Sequence, residues 1–169
     1  AAIHDLMQDY RNDQYQAAWQ AWQKQPSQIQ NTLTGLDLTI AFAIKAGAFE
    51  VARDAIETLA VLFPSWVTPT VARLDLALAE GATKLPRAFR EHTVERPERL
   101  ELWRALARFA EATRQQHYLF EARAWDALMH GKLEASRTQL TRARDQWPES
   151  LDPRPLERLE VTLSALERD

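Results

Sequence analysis

The stretch Leu36–Pro64, LDLTIAFAIKAGAFEVARDAIETLAVLFP, restricts the fold of this chain more than any other. Leu36, Ile40, Ala43 and Ile44 recur at helical spacing, and Phe49, Ala52, Ile56 and Leu59 resume the same period after Gly47. Gly47 falls where a helix end needs a residue free to take positive φ. Pro64 closes the second run. Small residues at Ala43 and Ala52 allow the two helices to approach closely. The stretch therefore predicts an antiparallel helical hairpin.

The hairpin repeats. Subtracting 34 from Phe49, Ala52 and Ile56 gives Tyr15, Ala18 and Trp22, and adding 34 to Gly47 gives Gly81. Pro64 and Pro97 are 33 residues apart, and Pro97 and Pro148 are 51 apart, one and a half repeats. A helix–turn–helix period near 34 resembles the tetratricopeptide repeat. The resemblance is carried by G-x-F-x-x-A-x-x-x-I before Pro64, by W-x-x-L-A at Trp103–Ala107, and by G-x-L-x-x-S-x-x-x-L at Gly131–Leu140 before Pro148. The unit after Gly81 departs from it, with Thr83 and Pro86 where an aromatic and a small residue belong. The implied fold is all-α, a tetratricopeptide-like solenoid of about ten helices wound as a right-handed superhelix.

Taken in order, helices are expected over 2–11, 14–24, 31–46, 49–62, Thr68 to Glu80, Pro86 to Glu95, 98–112, 116–129, 133–146 and 153–167. A loop is expected around Pro26. They form hairpins at about 1–26, 31–64, 67–97 and 98–148, within one domain. The segment 116–129 is shared between two hairpins, because it both follows 98–112 and precedes Gly131. The last helix places Leu156, Leu159, Leu163 and Leu166 on one stripe and closes the array. With 169 residues the chain can bury roughly 70% of its unfolded surface. Its net charge of −3 gives no broad attraction to nucleic acid. Cysteine is absent, which excludes disulfides and thiolate metal sites. No run approaches the roughly 18 apolar residues of a membrane span. No signal peptide is visible, and the chain opens without Met, as a mature protein or an excised domain does.

Catalytic motifs are missing: no H-E-x-x-H, G-x-S-x-G, P-loop or G-x-G-x-x-G occurs. His117 and Glu121, at i,i+4, offer two ligands of a metal site without a third. The remaining histidines, His4, His92 and His130, read as solvated positions near helix ends. Trp22 and Trp103 read as core, and Trp66 and Trp147 as staples beside Pro64 and Pro148. In the helix of Trp125 the inward positions are expected at Phe120, Ala124, Ala127 and Leu128, which turns Trp125 toward an inner, concave surface.

Stacked hairpins present their first helices along such a surface, and grooves of this kind bind peptides or partner helices. Along it lie Asp37, Ala41, Lys45, Asp75, Leu78, Arg104, Arg108, Tyr118, Glu121 and Trp125. The expected binding residues are Trp125, Tyr118, Glu121, Arg104, Arg108, Asp75, Lys45 and Asp37. Trp125 with Tyr118, and Arg104 with Arg108, suit a peptide carrying an apolar anchor and an acidic neighbour. On that expectation, losing the Trp125 side chain weakens partner capture and spares the fold. The carboxylate clamp of chaperone-binding tetratricopeptide domains is absent, since Asp37, Val71 and Glu121 stand where basic residues are wanted.

The second half also resembles the C-terminal tetratricopeptide domain of BepA/YfgC-type zinc metallopeptidases. The matching residues are Glu101, Leu102, Trp103, Leu106 and Ala107, then His117, Glu121 and Ala122, then Gly131, Leu133, Glu134, Gln139, Leu140 and Ala143. The resemblance implies a bacterial, periplasmic interaction domain that follows a zinc protease domain and serves outer-membrane protein assembly. Its implied partners are a protein or peptide, its own protease domain and the assembly machinery. It implies no cofactor and no catalysis in this chain. A tetratricopeptide accessory protein of envelope or cytochrome biogenesis is the alternative, with a cytoplasmic location left open.

Overall fold

The structure, a computed structural model, describes residues 7, 8 and 14–168. Among these there are ten helices and no strand. In chain order they are α1 (Tyr15–Gln23), α2 (Ser27–Gln30), α3 (Leu33–Ala46), α4 (Phe49–Leu62), α5 (Thr68–Ala79), α6 (Arg87–Glu95), α7 (Leu100–Thr113), α8 (Gln116–Met129), α9 (Leu133–Asp145) and α10 (Arg154–Leu166). This is the expected all-α class. The expected helix over 2–11 and His4 fall outside the described residues, apart from residues 7 and 8. The chain divides into two compact units at Ala82/Thr83, so the two helices of the expected 67–97 hairpin lie in different units.

One backbone device ends a helix at four places. Gly47, Gly81, Arg114 and Gly131 all have positive φ, at 76°, 90°, 58° and 69°. At each, this residue's N–H donates to the carbonyl three residues back, and the next N–H donates to the carbonyl five residues before it. At the first turn Gly47 N donates to Ile44 O (3.2 Å) and Ala48 N to Ala43 O (2.8 Å). At the third, Arg114 N donates to Glu111 O (3.3 Å) and Gln115 N to Ala110 O (2.9 Å). These paired bonds satisfy carbonyls that a helix end otherwise leaves free, and at Gly47, Arg114 and Gly131 they turn the chain into the next helix within two or three residues. Arg114 performs the task without the conformational freedom of glycine.

In the first unit the repeat positions share one fate. Ala18 and Ala52 are fully buried, and Trp22 and Ile56 are 1% exposed. Trp22 meets Phe42 edge-on with centroids 5.9 Å apart, and its indole N–H donates to Thr39 Oγ1 at 2.8 Å. The expected loop around Pro26 contains the single turn α2. Gln30 Nε2 reaches back from it to Trp22 O (3.0 Å) and Gln25 O (2.9 Å), supplying the donor that the end of α1 needs. Thr32 caps α3, accepting from Gly35 N at 3.0 Å. Gly35 itself sits against the backbone of α2: a Cβ there would lie 2.1 Å from Ile29 O and 2.5 Å from Gln30 O.

In the second unit α8 is the central element. It packs against α7 on one side and α9 on another, and also touches α10. Seven of its residues are buried: Tyr118, Leu119, Glu121, Ala122, Ala124, Trp125 and Leu128. Against α9, Ser136 fills a fully buried small position, and its hydroxyl donates to Ala124 O at 2.8 Å. Arg137 ties α9 to α10 through Glu160 and Glu167, and Arg144 adds Glu160 Oε2 at 2.9 Å.

Two glycine-related substitutions should move stability in opposite directions. Gly35→Ala overlaps rigid backbone and should cost about 3 kcal/mol, at the upper end of overpacking effects. Arg114→Gly removes left-handed strain but loosens the unfolded chain, for a net gain of about 0.5 kcal/mol. Urea melts of both variants beside the parent chain check the two signs.

Candidate functional site

The second unit carries a cleft of about 510 Å³. Helix α6 contributes Arg87, Arg90 and Val94, and Leu85 lies two residues before it. Helix α8 contributes Tyr118. The connection from α9 to α10 contributes Trp147, Leu151 and Asp152, and α10 contributes Arg154, Pro155 and Arg158. Local sequence explains each placement. Pro86 sets the start of α6, and Phe89 and Thr93, buried at 3% and 2%, fix its inner face. That leaves Arg90 and Val94 beside the cleft. Asp152 accepts from Arg154 N at 3.0 Å and starts α10, putting Arg154 and Arg158 one turn apart.

The inner end of the cleft is an aromatic and ionic cluster. Glu121 is fully buried, and Arg90 grips both its oxygens, Nη1 to Oε1 at 2.6 Å and Nη2 to Oε2 at 2.8 Å. The guanidinium lies 5.2 Å from the Tyr118 ring centre and 5.9 Å from that of Trp147. Trp147 meets Tyr118 edge-on at 5.9 Å and His117 edge-on at 5.6 Å. Burial works to depress the Arg90 pKa, but Glu121 more than offsets it, and the net shift is upward. Burial raises Tyr118 above the ordinary phenol value. Burial, then the Arg90 charge, lowers the His117 imidazole. Its Nε2 and the indole N–H of Trp147 are buried without a hydrogen-bond partner.

The structure does not gather the expected binding residues into one surface. Trp125 is core, 5% exposed, with its ring stacked on Trp103 at 5.0 Å and 7° between planes. It was expected on a concave face, but α8 has neighbours on two sides, and the face a simple hairpin would leave open is covered here. Phe120 and Ala127, expected inward, are only half-buried. Glu121 and Tyr118 are likewise buried rather than presented on an open groove, because both pack around Arg90. Arg104 is exposed, 3.9 Å from Asp126 Oδ1, and Arg108 is exposed on the same helix. Asp37, Lys45 and Asp75 belong to the first unit. Lys45 lies over the Tyr15 ring at 5.5 Å, Asp37 is exposed, and Asp75 is half-buried.

Three residues that matter here were not singled out as binding residues: Arg90, Arg158 and, in place of a turn staple, Trp147. Arg90 sits in the degenerate unit after Gly81, where the repeat offers no register. The one available signal was the i,i+4 pair Arg154 and Arg158 on the last helix. The metal reading of His117 and Glu121 fails on geometry, since both Glu121 oxygens are taken by Arg90. Among the described residues no group of three His, Cys, Asp or Glu forms a metal-binding cluster. No described helix is long and apolar enough to cross a membrane. No family model matches the chain, and neither does any curated protein or solved structure.

Two consequences are measurable. Trp125→Ala should lower stability by about 3–5 kcal/mol, as for other large core aromatics, visible as a sharp drop in melting temperature. The second concerns pH. The folded chain holds His117 below the ordinary 6.5, so the unfolded chain binds the proton more readily. The stability tied to His117 is therefore present above pH 6.5 and is lost as pH falls through that value. Melting temperatures taken down through this interval should fall more for the parent chain than for His117→Gln.

Proposed function

We propose that this chain is a non-catalytic, tetratricopeptide-like interaction module that captures a peptide segment of a partner protein in the cleft between α6, α8 and α10. The observation that carries the reading is the cleft itself. It joins apolar walls to a few fixed polar groups, the composition typical of a binding pocket. Its volume lies within the range such pockets occupy. Trp147, Tyr118 and Arg90 are residue types that dominate binding energy at protein interfaces. The BepA/YfgC-type motif residues support an envelope setting. On that reading the chain accompanies a zinc protease domain in the periplasm and serves outer-membrane protein assembly.

The experiment is a selection of displayed random peptides on the whole chain, followed by affinity measurements on Val94→Trp. Val94 is 40% exposed at the cleft wall, so the larger ring should fill the cleft and leave the melt unchanged. Affinity should fall at least tenfold, corresponding to loss of about 1.4 kcal/mol or more. Peptides that bind parent and Val94→Trp equally well would place capture outside this cleft.

A further inference from the structure

The charge pattern of the cleft narrows its occupant, granted that the cleft captures peptides. Four guanidinium groups border it against one carboxylate, Asp152. Three of the four are already matched. Arg90 is committed to Glu121, Arg87 Nε donates to Glu91 Oε1 at 2.7 Å, and Arg154 Nε donates to both Asp152 oxygens at 2.9 and 2.7 Å. Arg158 differs. Its Nη1 donates to the carbonyl of Val94, and among the described residues it has no carboxylate partner. A guanidinium carries five N–H donors, so one carbonyl leaves most of the fork unused. The Val94 carbonyl anchors the side chain at the cleft, which reduces the entropy lost when a ligand engages it.

We infer that the captured peptide carries a carboxylate side chain next to an apolar residue, and that Arg158 reads the carboxylate. The apolar residue seats against Trp147, Leu151 and Pro155. Its burial removes water from around Arg158 and strengthens the ion pair beside it. The same excess of arginine repels a peptide with lysine or arginine at that place. A bidentate carboxylate–guanidinium pair adds geometry to charge, so a lysine at position 158 is a poor substitute.

Peptides selected from the random library on the parent chain should be enriched in Asp or Glu adjacent to an aliphatic or aromatic residue. One selected peptide is then synthesised with its acid and with the matching amide, Glu→Gln or Asp→Asn. On the parent chain the amide should bind about tenfold more weakly, the usual size for a hydrogen bond to a charged group. On Arg158→Gln the two peptides should bind alike, and the difference should shrink as salt is raised. Arg158 is exposed, so its melt should hold; if it does not, Arg158→Lys, which keeps the charge but loses the fork, should shrink the acid–amide difference without abolishing it, and an undiminished difference would overturn the inference. Neutral or basic selected peptides would overturn the inference and leave peptide capture standing. So would an acid–amide difference that survives in Arg158→Gln. Failure to select any peptide, or full binding by Val94→Trp, would instead overturn capture in the cleft.

Discussion

Four helices end on one residue held at positive φ, and three of those residues lead directly into the next helix. The constraint is steric. A Cβ in that region crowds the following carbonyl, so glycine occupies three of the four places. At Gly47, Arg114 and Gly131 the return is a tight reversal in which both exposed N–H groups find carbonyls of the preceding helix. Helices joined this tightly have little choice but to pack side by side, and their apolar stripes then decide which faces meet. In the first unit those stripes carry Trp22, Phe42, Ile56 and Leu59 into one cluster. In the second they place α8 between α7 and α9.

That central position changes what α8 can do. With α7 and α9 on either side of α8, Trp125 is consumed by Trp103. The helix can, however, hold a carboxylate away from water. Glu121 is a carboxyl group at zero exposure, and Arg90 meets it with two hydrogen bonds. Arg90 in turn is held over Tyr118 and Trp147. The rim of the cleft is thereby fixed to the core of the unit by an ion pair, and the cleft lies on the α6 and α10 side of α8 rather than on a first-helix groove.

The helices were legible in the sequence because their grammar is local. Glycine at a helix end, proline at the next start, and apolar residues at 3.6-residue spacing gave α4 and α8 to the residue. Pro26 was legible as a break, but the single turn of α2 was not, because it has no buried residue to create a period. The break between 98–112 and 116–129 was legible too, but nothing in an arginine announces the positive φ of Arg114. The site was mostly illegible. It is assembled from a degenerate helix, an inter-helix connection and the last helix, and the bond between Arg90 and Glu121 spans 31 residues. Repeat arithmetic assigns faces by analogy with a regular hairpin, and α8 belongs to two.

The sharing of α8 also sets how this chain can come apart. In a simple array each hairpin is a module that opens or is excised by itself, and stability is a sum of like terms. Here no cut between Thr83 and Asp169 separates whole hairpins, because α8 completes the one before it and begins the one after. Its backbone amides are sealed by two packing partners at once, so local opening of either neighbour leaves them covered. That couples α7, α8 and α9, and favours opening of the three together over opening hairpin by hairpin, in a chain whose sequence is written in repeats.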